Sequence, residues 1–172
     1  MIPAVDYLKN FIRIILPSTT VLLLIFLSAL PLGIPYFSSV TPFFALIAVY
    51  FWSIYRSEIF PIWIVFVLGL VQDLILGTPL GITALILILV RSLSVSQRRF
   101  LLGQSFIVEW AGFILVALGA SFLAWAIGSA YRAVFLWSEP FMIQLALTGT
   151  LYPIFSWLLA KSSRLTPRMQ QG

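Results

Sequence analysis

Asp73, Arg91 and Glu109 are ionisable residues set inside long apolar stretches of the chain, and a charge there is costly enough that a functional or pairing role is the first reading of each. Such residues serve proton relay, ion coordination or acid–base catalysis, and each of these chemistries needs a second group. Asp73 has no His, Lys or second carboxyl near it in sequence, so it makes no acid–base pair. Arg91 lies ten residues beyond Gly81, far enough along a helix for its stem to snorkel towards headgroups on the opposite side. Glu109 follows the pair Arg98 and Arg99 closely and most simply pairs there or with Arg91. These two read as anchors, and Asp73 as a group that hydrogen-bonds to neighbouring backbone or meets a partner.

Other catalytic templates fail on residue types. The 172-residue chain has no His and no Cys, which removes imidazole bases, thiolate nucleophiles, disulfides and the commonest zinc ligands. Without His a Ser-His-Asp triad is impossible. The five acidic residues are scattered, with no cluster for Mg²⁺, and no Gly-rich loop is followed by Lys-Ser or Lys-Thr. The reading is a non-enzyme with no cofactor and no metal. Net charge is +5, but the basic residues occur in short, separated clusters, which excludes a nucleic-acid groove and suits anchoring to anionic lipid.

The elements that must position these residues are membrane helices. At 62% hydrophobic and 9% charged, with mean hydropathy +1.10, the composition lies far outside that of water-soluble domains. Apolar runs and breakers predict one all-α transmembrane domain, a polytopic membrane protein with six transmembrane helices, spanning 14–32, 36–55, 59–76, 80–95, 106–130 and 141–160. Pro42 leaves the second segment open between a kinked helix from Tyr36 and a short one starting near Pro42. The first segment is expected to be an uncleaved span, because it is long for a signal peptide and lacks a clean cleavage site. With both termini in the cytoplasm, Lys9, Arg13, Arg56, Arg98, Arg99, Lys161, Arg164 and Arg168 fall inside and only Arg132 outside. Tyr36, Tyr131, Trp137 and Tyr152 are then expected near the outer interface, and Trp52, Tyr55 and Trp157 near the inner.

Two patterns carry packing information. On a helical wheel Ile62, Phe66, Gly69, Asp73 and Gly77 share a stripe, so the carboxyl lies on a face whose glycines admit close approach of another helix. After it, Gly77-Thr78-Pro79-Leu80-Gly81 predicts a tight turn, glycine supplying positive φ and Pro79 a fixed φ. Asp73, one turn below, can accept hydrogen bonds from the turn and make it a rigid ledge. Further on, Ala120, Ala124 and Gly128 recur every four residues, a stripe that fits internal packing and a partner's helix equally.

The stretch 61–85, PIWIVFVLGLVQDLILGTPLGITAL, resembles the MreD family of bacterial rod shape-determining proteins, through Pro61, Phe66, Gly69, Leu70, Asp73, Gly77, Pro79, Leu80 and Gly81. Outside that stretch the likeness is one of size and hydropathy. The resemblance implies a multi-pass protein of the bacterial cytoplasmic (inner) membrane, in a fold similar to the S components of energy-coupling-factor transporters. It also implies a non-enzymatic scaffold of the cell-wall elongation complex, which binds MreC and acts with RodA and a class B penicillin-binding protein in peptidoglycan synthesis. The competing reading is an S-component-like subunit that binds a vitamin. The first segment lacks the Ala-xxx-Ala docking motif common in S components, and one carboxyl is few polar groups for a vitamin pocket. A lipid-modifying enzyme is opposed by the missing bases and metal ligands. The residues expected to carry structure or partner contact are Phe66, Gly69, Asp73, Gly77, Pro79, Gly81, Ala120, Ala124 and Gly128.

Overall fold

A computed structural model describes residues 4–29, 42–132 and 139–163. The described residues form six helices: α1 Ala4–Ala29, α2 Phe44–Tyr55, α3 Ile62–Leu76, α4 Ile82–Leu101, α5 Phe106–Arg132 and α6 Glu139–Ser163. No strand occurs among them. The stretches Phe106–Ala130 and Met142–Ser162 are long and apolar enough to cross a membrane, while Ile15–Ala29, α2 and α3 are shorter apolar helices.

Helix boundaries follow local chemistry. Pro42 and Phe43 are not helical and α2 starts at Phe44, which selects the short second helix over one running through Pro42; residues 36–41 lie outside those described. Proline again sets the start of α3, where Pro61 is the extended N-cap residue, since a missing N–H costs nothing at a helix start. The sequence suggests a break at Ser96 to Arg99, yet α4 continues through Arg98 and Arg99 to Leu101. Cations suit the last turn of a helix, where unpaired carbonyls concentrate negative charge. The helix stops only where Gly103 takes a positive φ of 99°.

The core is built around α2. Every residue from Phe44 to Ile54 is buried, as expected for a helix apolar on all sides, and it packs against α1, α4, α5 and α6. At 12 residues it is roughly 18 Å long. Side-chain hydrogen bonds lock it to its neighbours. Trp52 donates its indole N–H to Thr20 Oγ1 at 2.9 Å, and Thr148 Oγ1 accepts the Phe43 N–H at 3.1 Å, so α6 caps the start of α2. Within α6, Pro153 cannot donate to the carbonyl of Gly149. The indole N–H of Trp110 fills that vacancy at 2.9 Å, tying α5 to the weak point of α6.

Basic residues pin the α2–α3 connection. Arg91 donates from Nε to the Phe60 carbonyl at 2.9 Å and from Nη2 to that of Ser57 at 3.4 Å. Arg98 donates to Ser57 Oγ at 2.8 Å and forms a salt bridge with Glu58 at 3.1 Å. Arg91 is thus an anchor, but to protein carbonyls in place of the headgroups its position suggests.

Candidate functional site

The turn between α3 and α4 closes around Asp73. Gly77 ends α3 in the left-handed region at φ 68°, and its N–H bonds the Asp73 carbonyl. Thr78 N–H reaches the same carbonyl at 3.1 Å, the pairing of a glycine-terminated helix end. Gly81 opens α4 at φ 98°, a conformation that costs a side-chain-bearing residue. The Asp73 carboxylate is fully buried and accepts from Thr78 Oγ1 at 2.7 Å, Gly81 N–H at 2.8 Å and Thr83 N–H at 3.2 Å. Pro79 sits in the turn, and its carbonyl accepts the Ile82 N–H at 3.3 Å. One side chain therefore replaces the missing partners at the end of one helix and the start of the next.

Gly69 is where α4 meets α3. A Cβ on Gly69 would stand 2.3 Å from Ala84 Cα, so no side chain fits without parting the two helices. Phe66, on the wheel stripe with Gly69 and Asp73, is exposed, as is Ile62, while Val65, Leu68 and Gln72 are buried. The face turned inwards is rotated from the stripe towards those three. Asp73 and Gly69 lie at its edge, and Phe66 points outwards. Gln72 Oε1 is buried without a hydrogen-bond partner.

The small residues of α5 divide along its length. Ala120 is in the core, Ala124 is half-buried against it, and nothing lies within 4 Å of a Cβ on Gly128. One end of the stripe is internal packing and the other is open.

Glu109 departs from its expected pairing. Its carboxylate, 7% exposed, forms no salt bridge among the described residues, where the ion pair joins Arg98 to Glu58. Instead Oε2 accepts from the Tyr55 hydroxyl at 2.7 Å and Oε1 from the Tyr152 hydroxyl at 2.6 Å. Tyr50 donates to the Glu109 carbonyl at 3.1 Å, passing Gly112, where a Cβ would lie 3.0 Å from its hydroxyl oxygen. The rings of Phe113 and Tyr152 stack at 4.2 Å behind the carboxylate. Tyr55 and Tyr152 hold one carboxylate, so they share one level of the bundle. Assigning Tyr152 to the outer interface and Tyr55 to the inner is therefore incorrect, and Tyr152 is fully buried. Tyr36, Tyr131 and Trp137 lie outside the side chains described. The signal available in sequence was Tyr50 and Tyr55 in the second apolar segment and Tyr152 in the sixth, but nothing there links them to Glu109.

No three of the His, Cys, Asp and Glu side chains converge among the described residues. Buried polar groups tie helices together at a tight turn and at a tyrosine cluster, inside an apolar helical bundle with membrane-capable helices. This is the class of an all-α protein with membrane-capable helices. The chain belongs to the MreD family: the family profile for rod shape-determining protein MreD matches residues 9–162, nearly the whole length. No curated protein and no solved structure matches it significantly. Its role accordingly lies in rod shape determination, in a family of structural membrane proteins.

Proposed function

We propose that this protein is a non-enzymatic scaffold of the bacterial cell-wall elongation complex, and that it binds the single transmembrane helix and near-membrane segment of MreC. It sits in the cytoplasmic (inner) membrane with six spans and both termini in the cytoplasm. RodA and a class B penicillin-binding protein belong to the wider assembly it regulates. The observation that carries this reading is the match of residues 9–162 to the rod shape-determining family. Supporting it are the eight-to-one distribution of Lys and Arg between alternate connections and the tethering of Ser57, Glu58 and Phe60 by Arg91 and Arg98 at one end of the bundle.

Two surfaces suit a partner helix. One is the exposed rim of the α3–α4 ledge at Leu74 and Leu80, with Phe66 on the outward face of α3 about 16 Å from the turn. The other is the open end of the α5 stripe at Ala124 and Gly128, where a helix can approach closely. Purification from the native membrane in mild detergent is expected to bring MreC down with the chain. If the stripe is the partner surface, Ala124→Leu is expected to abolish that association while leaving the protein abundant; because Ala124 also packs against the core, lowered abundance instead would mark the stripe as internal packing. Unchanged association would move the contact to the ledge, and saturable uptake of a vitamin-like solute with an energising module would replace the scaffold by an S-component-like transporter subunit. For the topology, a periplasm-active reporter fused after Gly172 should stay silent and one within 132–140 should respond.

A further inference from the structure

Beside the Glu109 carboxylate lies a cavity of about 370 Å³, lined by Phe51, Tyr55, Phe106, Glu109, Pro153, Ser156, Trp157 and Ala160. That volume lies in the range of about 300–1,000 Å³ typical of small-molecule sites. Four of the lining residues are aromatic, and the carboxylate is its one acidic group. A buried carboxylate usually has a cation. This one has two tyrosine hydroxyls, and two oxygens with about four acceptor positions leave room for further N–H donors. The negative faces of aromatic rings attract ammonium groups, so the lining and the carboxylate favour the same kind of guest.

Next to the Trp157 wall, lining the neighbouring groove, stands a group of opposite sign. Lys161 is exposed, and its Nζ stands 5.7 Å from the centre of the Trp157 ring, one wall of the cavity. Trp157 is itself 67% exposed, which opens the site to the surface. A cation beside the Trp157 wall and an anion within the cavity match a zwitterion with a phosphate joined by a short linker to an ammonium. The same Lys161, in a chain of net charge +5, disfavours a basic peptide.

We propose that this cavity binds the headgroup of an ethanolamine phospholipid, its ammonium held by Glu109 and the surrounding aromatic rings and its phosphate by Lys161. The primary ammonium donates hydrogen bonds to the carboxylate positions that the tyrosines leave open. A trimethylated ammonium has no N–H to give, and a glycerol headgroup has no charge to offer Glu109. In the topology proposed above the bound lipid belongs to the cytoplasmic leaflet; only the choice of leaflet rests on that topology, and reporter fusions test it separately.

The test uses the full chain in non-ionic detergent, with equal amounts of ethanolamine, choline and glycerol phospholipids of identical acyl chains, read by native mass spectrometry. The ethanolamine lipid is expected to be retained about tenfold over the choline lipid, the scale of a hydrogen bond to a charged group. Glu109→Gln, which keeps an acceptor for a tyrosine and removes the charge, should bring that ratio to parity. Lys161→Ala should weaken retention of all three lipids, since each carries the phosphate. Equal retention of the three lipids by the unaltered protein overturns the proposal, and so does an unchanged ratio in Glu109→Gln. Should Glu109→Gln fail to accumulate, Trp157→Ala at its exposed position is decisive: reduced retention of the ethanolamine lipid supports the site and unchanged retention overturns it. Binding of a Lys-rich peptide that depends on Glu109, with no preference among lipids, overturns it in favour of a protein partner.

Discussion

Asp73 and Glu109 are both buried carboxylates in apolar helices, yet they are solved in opposite ways. Asp73 takes its hydrogen bonds from residues 5, 8 and 10 positions further along the chain, two of them backbone N–H groups. Glu109 takes its side-chain bonds from tyrosines 54 and 43 positions away, on two other helices. The first arrangement completes itself within one hairpin and is sealed from solvent. The second exists only once α2, α5 and α6 have packed, and a cavity adjoins it. A saturated local carboxylate is a structural fastener; a carboxylate held by distant hydroxyls, with no ion pair among the described residues and a cavity beside it, is where we propose that a ligand binds.

The sharpest way to break this contrast is at Asp73. Asp73→Leu strands three donors, each costing about 1–3 kcal/mol when left unpaired in a buried site, so the folded protein should nearly vanish from the membrane fraction and cell shape should not be restored. Asp73→Asn keeps one acceptor oxygen and should retain most folded protein and partial complementation. Equal loss in both variants would mean that the charge itself is essential, and the fastener reading would fall.

Packing beneath the ledge gives the next effect. Gly69→Ala drives a Cβ against the Ala84 backbone, and overpacking of this kind costs about 1–3 kcal/mol. Gly119→Ala meets nothing within 4 Å and removes a helix-weakening glycine, worth up to about 1 kcal/mol in the other direction. Melting of the two purified variants in detergent should therefore shift in opposite senses. A neutral Gly69→Ala would show that α3 and α4 can separate at little cost.

The smallest effects are expected at the tyrosine cluster. Tyr152→Phe removes one hydrogen bond to Glu109 within the core and should cost about 1–2 kcal/mol. Tyr55, 39% exposed, should matter less when changed to Phe, because water can replace its hydroxyl at the cavity edge. If Tyr55→Phe instead depletes folded protein as far as Asp73→Leu, the cluster is a fastener too and the contrast disappears. Read as folded protein recovered in the membrane fraction, the order of loss expected is Asp73→Leu, Gly69→Ala, Tyr152→Phe, Tyr55→Phe.

Much of this was legible in the chain itself, for a definite reason. The composition dictates an all-α architecture, because apolar segments this dense must satisfy their backbone internally. The residues of the Asp73 turn carry their own conformational instructions: two glycines at the positive-φ positions, a proline between them and a threonine hydroxyl within reach. Every interaction there spans ten residues or fewer, so spacing alone reveals it. Tertiary structure decided the rest. The nearest cations in sequence suggest an ion pair for Glu109, but α4 turns Arg98 towards Ser57 and Glu58 while Arg91 is taken by the carbonyls of Phe60 and Ser57. Likewise the wheel places Phe66 with Gly69 and Asp73, yet only the arrival of α4 at Ala84 fixes which edge of that stripe turns inwards. Periodicity gives a side chain's angle about its own helix; the direction of the neighbouring helix, which determines whether that angle means core, cavity or lipid, is a property of the packed bundle alone.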